Sequence, residues 1–354
     1  MYILKEHLRR YPEMQPIDAV KLLYQRAFGG GHLIPDPAAS LARLQKEYDA
    51  LFVRAGSLRT EEIGGGAARL YLDCIPAGSL GTVNRLFVLG AAGHRGDPDG
   101  FFRDLAAVTE AVHRGETPFS VPQWEEMLTA YRAAGCPMVS HSDAYRAAYA
   151  PAYRVIPAKY VPLLPLLFAV DAVIAGRGRA VLAVDGMCGS GKSTLASLLA
   201  RLYDAALVRM DDFFLPPPLR TPDRLAEAGG NIHYERFQTE VLPHLGGGDF
   251  AYRAFDCSVM ALSDAVAVPA RSLTVVEGSY ALHPALRGRY DVTAYLYCSP
   301  EEQMRRLAAR CQSPALLRRF KEEWIPMEAR YDAAFSIREG ADFAIDTTDL
   351  DWRT

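Results

Sequence analysis

Lysine is scarce in this chain: six of the 39 Lys and Arg side chains in 354 residues are lysines. A lysine at a defined place in a motif is therefore not explained by composition. The cysteines Cys74, Cys136, Cys188, Cys257, Cys298 and Cys311 show no CxxC pair and no regular spacing, which speaks against a zinc site or disulfide framework and fits a reducing cytoplasm. A strong charge of one sign is also missing. The formal net charge of -3 argues against a broad basic surface, so nucleic acid and membrane are not expected partners. The most apolar run, Tyr160 to Ala175, is interrupted by Pro162, Pro165 and Asp171, and the N-terminus lacks the apolar core of a secretory signal. It reads as a buried helix of a soluble, cytoplasmic protein, with a homo-oligomer compatible with the sequence.

What is present is material for two cores. The length exceeds one ordinary domain and half of the residues are apolar. The glycine and arginine run "AGRGRA" divides residues 1–176 from 177–354.

Residues 1–176 read as a mostly α-helical accessory or acceptor-site domain. "PIDAVKLLYQRAF" has helical spacing, and Gly29 to Gly31 fall where that helix ends, beside His32. Asp36-Pro37 and Asp97-Pro98 each open a helix. Ser120 precedes another, with Trp124, Leu128 and Tyr131 on one face and Gly135 as its stop. One short strand is expected at Ala68 to Leu72. His32, His94 and His141 lack metal-ligand spacing. Tyr145, Tyr149, Tyr153 and Tyr160, interleaved with Arg146, Arg154 and Lys159, form either a polar aromatic pocket or, the preferred reading, a helix face and domain seam.

Residues 177–354 carry the chemistry. "VLAVD" is an apolar run of strand length, "TLASLLARLY" is an amphipathic helix, and between them lies "GMCGSGKS", a full GxxxxGK[ST] pattern. Gly186, Gly189 and Gly191 let the backbone curl so that N–H groups of Cys188, Ser190 and their neighbours through Thr194 point into an anion-binding hollow. Lys192 then has its purpose: it reaches the β- and γ-phosphates of a nucleotide, and Ser193 ligates Mg²⁺. A second strand, "AALVR", runs into Asp211 and Asp212 on the side where strand ends line the ligand crevice. A third, "LTVVEG", ends in Glu277, and a fourth is "VTAYLYC". Ser299, Pro300 and Glu302 open a helix through a capping box. After them come Arg305, Arg306, Arg310, Arg318 and Arg319, some solvated and some able to close over phosphates. The fold class expected is α/β, a P-loop NTPase-type parallel sheet with flanking helices.

The pieces "GMCGSGKST", "MDDFFLP", "GGNIHYERFQTEVLPHL", "YRAFDCS", "VVEGSYAL" and "FKEEWIPMEARY", in that order, resemble the uridine kinase and phosphoribulokinase group of P-loop small-molecule kinases over Gly186 to Asp346, about half of the chain. The resemblance implies transfer of the ATP γ-phosphate to a hydroxyl of a small metabolite. Asp211 takes the proton, Asp211, Ser193 and Glu277 lie on the Mg²⁺ side, and Arg310, then Arg306, act as lid arginine. Uridine kinases carry a histidine and a basic residue after the aromatic-Asp pair matching Phe255-Asp256. Here "CSVMAL" follows, which speaks against uridine itself. An alternative treats the P-loop domain as a nucleotide-dependent switch acting on the N-terminal half.

Overall fold

The computed structural model describes residues 2–30, 34, 36–52 and 57–350. Gly31 and His32 lie outside the described residues. The chain divides into two compact units, Met1–Val161 and Pro162–Thr354. The boundary expected at 176/177 is therefore displaced. The apolar helix Leu164–Arg177 packs on strands of the second unit, with Leu164, Leu166, Leu167 and Val170 fully buried. Its Asp171 accepts a hydrogen bond from Tyr203 Oη at 3.0 Å. Although Ala158–Arg177 is long and apolar enough to cross a membrane by length and composition, its leucines face protein. The "AGRGRA" run is its C-cap, where Gly178 takes a left-handed φ of 75°.

The first unit holds more strand than the sequence predicts. β1 (Thr60–Gly64), β2 (Ala67–Tyr71) and β3 (Tyr153–Pro157) form an antiparallel sheet in the order β1-β2-β3. Only β2 reads as a strand from its sequence, because β1 is polar and β3 pairs across a long separation. The helices fall where their caps place them. Asp36 and Asp97 accept N–H bonds from Ala39 and Gly100 at 2.8 Å, and helix Pro16–Phe28 ends at Gly29 with φ 59°. Trp124, Leu128 and Tyr131 are buried together against Val20, Phe101 and Leu105.

The tyrosine-rich segment divides between the two arrangements expected of it: Tyr145 and Tyr149 lie on the helix Asp143–Tyr149, and Tyr153 and Arg154 line a small cavity. Tyr145 and Tyr153 join a buried polar network on the sheet's inner face. Arg69, 2% exposed, donates to Gln25 Oε1 and Glu61 Oε2, and its guanidinium lies 4.7 Å from the Tyr153 ring centre. His141 bridges Asp18 (2.8 Å) and Tyr153 Oη (2.7 Å) and stacks on Tyr145. His94 bonds the Ala27 carbonyl. Among the described residues no group of three or more His, Cys, Asp or Glu is arranged to hold a metal ion.

In the second unit β4 (Ala180–Gly186), β5 (Ala206–Arg209), β8 (Leu273–Glu277), β9 (Val292–Tyr297) and β10 (Phe343–Asp346) make a five-stranded parallel sheet in the order β10-β9-β4-β8-β5. β6 (Phe250–Asp256) and β7 (Ala261–Val268) form a separate antiparallel hairpin. β4, β8 and β9 are buried almost throughout, as expected of a parallel sheet covered on both faces. β4 lies between β8 and β9, so the chain reverses its winding sense there and a crevice opens at the carboxyl ends. The helix Lys192–Tyr203 turns Leu195, Leu198, Leu199 and Leu202 inward. Ser299 caps the helix Pro300–Arg310 by accepting from Glu302 N. The reciprocal half of the expected box is replaced: the Ser299 N–H donates to Thr348 Oγ1, leaving Glu302 to pair with Arg305 and Arg306.

Candidate active site

β4 ends in a turn that only glycine can make. Gly186 has φ 138°, and a Cβ there would lie 2.0 Å from the Leu296 carbonyl oxygen. Gly189 and Gly191 have φ 79° and 99°, curling the loop into the N-terminus of helix Lys192–Tyr203. The loop borders a cavity of about 920 Å³ lined by Cys188, Gly189, Ser190, Gly191, Lys192, Ser193 and Thr194. Asp211, Glu277, Arg306 and Arg310 line it too, so the predicted site residues meet around one hollow, with Gly186 as the hinge beneath it.

Lys192 is curled over its own loop. Its Nζ donates to the carbonyls of Gly186 (2.7 Å) and Met187 (3.0 Å) and to Ser279 Oγ (3.1 Å). The Ser190 hydroxyl is buried without a partner. Ser193 Oγ donates to Glu277 Oε2 at 3.2 Å, which brings an alcohol and a carboxylate together at the loop's far end.

The two adjacent acids have separated. Both lie in the 3₁₀ turn Met210–Phe213 following β5. Asp211 faces the cavity, whereas Asp212 accepts from Tyr252 Oη at 2.6 Å and ties the turn to β6. Burial pushes the Asp211 carboxyl above its usual range; Asp212 and Glu328 add to this, and Lys192 and Arg310 oppose it. Glu277 is raised for the same first reason, burial.

The two candidate lid arginines also differ. Arg306 is committed to structure: it pairs with Glu302, donates to Gly189 O and Thr347 Oγ1, and holds the carbonyls of Thr347 and Leu350. It therefore fixes the loop after β10 against the glycine loop. Arg310 makes no ion pair among the described residues; its guanidinium lies 5.3 Å from the Phe320 ring centre and lines the cavity.

Three residues given no role from sequence shape the site. Asp185, 1% exposed, accepts from the N–H groups of Gly186, Tyr280 and Leu282 and from Tyr331 Oη, all within 2.7–3.0 Å. Burial pushes its carboxyl up to about 6 despite those bonds and Lys192. Through Asp185 the glycine loop, the segment after β8 and the helix Ile325–Phe335 become one frame, and Tyr280 is held at φ 73°. Glu328, on the same helix, accepts the Cys188 N–H at 2.8 Å and the Ser279 hydroxyl at 2.6 Å. An internal carboxylate thus occupies one N–H of the anion hollow. Asn231 lines the cavity near Phe214 and Cys257, its Oδ1 buried without a partner. The quoted segments "GGNIHYERF", "VVEGSYAL" and "WIPMEARY" contain Asn231, Ser279 and Glu328, but nothing local says which way their side chains point.

No family model matches the chain, and no curated protein does. Solved structures do. A protein named as a fructose transport system kinase from Silicibacter sp. TM1040 is 26% identical, with 47% of this chain and 89% of that one covered and a TM-score of 0.39. One named as a uridine kinase from Bacillus stearothermophilus is 18% identical, covering 51% and 100%, TM-score 0.38. Shikimate kinase from Acinetobacter baumannii is 19% identical, covering 49% and 87%, TM-score 0.24. Each of these matches spans about half of this chain.

Proposed function

We propose that the second unit is an ATP-dependent kinase that moves a γ-phosphate to a hydroxyl of a small metabolite. The observation that supports it is the convergence of the glycine loop, Lys192, Ser193 and Asp211 on one cavity. The residues fit a nucleotide's phosphates: positive-φ glycines, a helix N-terminus, a lysine and a buried unpartnered Ser190 hydroxyl. They also fit Mg²⁺, since Ser193, Glu277 and Asp211 offer the hard oxygen donors it prefers. When bound, the ion neutralises charge on the phosphate oxygens.

The chain's own residues do the rest. The acceptor oxygen attacks the γ-phosphorus as its proton passes to Asp211 and ADP leaves. With its pKa raised by burial, Asp211 is a better base than an ordinary aspartate. Lys192 leaves the Gly186 and Met187 carbonyls for phosphate oxygens, and Arg310 meets the transferring charge. The acceptor would lie in the same cavity, whose lining includes Asn231, Phe214 and Cys257. The acceptor class on this reading is a sugar, a nucleoside-like compound or a cofactor precursor, with uridine disfavoured because "CSVMAL" lacks the histidine and basic residue expected after Phe255-Asp256. Mg²⁺, cytoplasmic location and solubility belong to the same reading.

Purified protein given ATP, Mg²⁺ and a library of small alcohols should release ADP faster with the right acceptor. Lys192→Ala and Asp211→Asn should both abolish that stimulation; full transfer by Asp211→Asn would remove the assigned base.

A further inference from the structure

The first unit contains a cavity of about 100 Å³ bounded by Lys21, Gln25, Tyr153, Arg154 and Phe87. At roughly 30 Å³ per water in the liquid, it has room for a carboxylate- or phosphate-sized group and not for a nucleoside. Its lining has two cations, Lys21 and Arg154, and no Asp or Glu among the described residues.

The nearby carboxylates are committed elsewhere. Asp18 accepts from Gln15 N, Ser142 N, Ser142 Oγ and His141. Glu61 accepts from Arg10, Tyr11, Arg69 and Tyr71. Glu47 holds Arg154 at 2.7 Å but does not line the cavity, and its side chain is 42% exposed. Lys21 instead donates to a backbone carbonyl, that of Val139, at 3.0 Å. One carbonyl leaves two of its three N–H donors without a protein partner among the described residues. Burial, with Arg69 and Arg146 adding repulsion against the pull of Asp18, holds Lys21 down to about 8.

Gln25 and Tyr153 cannot relieve it. The His141 Nδ1 faces the Asp18 carboxylate, so Nδ1 carries the proton and Nε2 accepts from Tyr153 Oη. The Tyr153 oxygen in turn accepts from Gln25 Nε2 at 3.1 Å, and Gln25 Oε1 is taken by Arg69. The cavity therefore has fixed walls and a cationic surplus. We infer that it is a binding site for a small anion, a carboxylate or phosphoryl group, held between Lys21 and Arg154. Every residue involved belongs to the first unit, so this site stands or falls independently of the kinase reading.

The test follows Lys21 directly. ¹³C-labelling of lysine in the full chain gives one ε-methylene resonance for each of the six lysines, and Lys21→Arg identifies the Lys21 signal. Acetate and inorganic phosphate are titrated separately, with chloride at matched ionic strength as control. At least one of the two anions should shift the Lys21 signal saturably while chloride does not, and Arg154→Gln should weaken that response at least tenfold. Which anion acts separates a carboxylate ligand from a phosphoryl one, and a separate Lys192 signal excludes confusion with the glycine loop. If Arg154→Gln does not fold, the pH titration of the wild-type signal decides: bound anion should raise its midpoint. A Lys21 signal that ignores both anions, follows chloride equally, keeps its full response in Arg154→Gln, or keeps its midpoint would overturn the site.

Discussion

Glu328 Oε2 lies 2.8 Å from the Cys188 amide nitrogen, so a carboxylate 140 positions downstream occupies an N–H of the glycine loop. Its other oxygen takes the Ser279 hydroxyl, which also accepts from Lys192. A nucleotide phosphate must displace this contact. Removing the charge should therefore tighten nucleotide binding: Glu328→Gln is expected to lower the ATP Kd roughly fivefold to tenfold, the size of one modest charge-assisted hydrogen bond. Calorimetric titration with ATP checks it, and an unchanged or higher Kd would show that Glu328 does not compete.

The two arginines should separate by what they damage. Arg310→Gln is expected to lower kcat by about 10²-fold with KM for ATP nearly unchanged, as for loss of a charge that acts on the transferring group. Arg306→Gln breaks bonds to Gly189, Thr347 and Leu350, so it should lower the melting temperature first. Thermal denaturation beside steady-state kinetics distinguishes them. The reverse pattern would exchange their roles.

Asp185 should be the least replaceable polar residue of the second unit. Asp185→Ala orphans three buried backbone N–H groups and the Tyr331 hydroxyl, and a loss of about 4 kcal/mol or more is expected at roughly 1–3 kcal/mol per unsatisfied group. Tyr331→Phe removes one bond and should cost about 1 kcal/mol. Urea denaturation of both variants tests the ratio; equal losses would mean that Asp185 does not bind the frame together.

His141 sets an acid limit on the first unit. Burial holds it down to about 4, against Asp18 and with help from Arg69 and Lys21. The unfolded chain takes up this proton near 6.5 and the folded chain does not until about 4, so stability is lost as pH falls through that window. The loss approaches roughly 3 kcal/mol below it. Denaturation of wild type and His141→Gln between these limits should show a steeper slope in the first than in the second, which keeps the contribution of His283, also held down to about 4 by burial.

Most of the second unit was legible in its residues. The glycine loop, Lys192, the strand ends carrying Asp211 and Glu277, and the Ser299 cap each rest on local backbone preference or on periodicity, which short stretches encode. The first unit was legible in its helices and in β2. β1 is polar, and β3, although Tyr153, Val155 and Ile156 favour a strand, is only five residues long and reaches its place by pairing with β2 across more than eighty residues. The domain boundary was misplaced for a similar reason: a glycine and arginine run reads as a linker, yet it caps a helix whose leucines are buried in the second unit.

The sequence by itself determined that a glycine-rich turn between strand and helix exists, where it lies, and which acids follow it on the same side of a parallel sheet. Tertiary structure alone decided that Asp211 and not Asp212 faces the cavity, that Arg306 is bound to carbonyls while Arg310 stays available, and that Glu328 reaches Cys188. It also decided that Lys21 and Arg154 share a hollow without an acid. The difference is one of range. A turn is fixed by the torsions and sizes of a few neighbouring residues, whereas the partner of a buried charge is chosen by whatever the whole packed chain brings within about 3 Å of it.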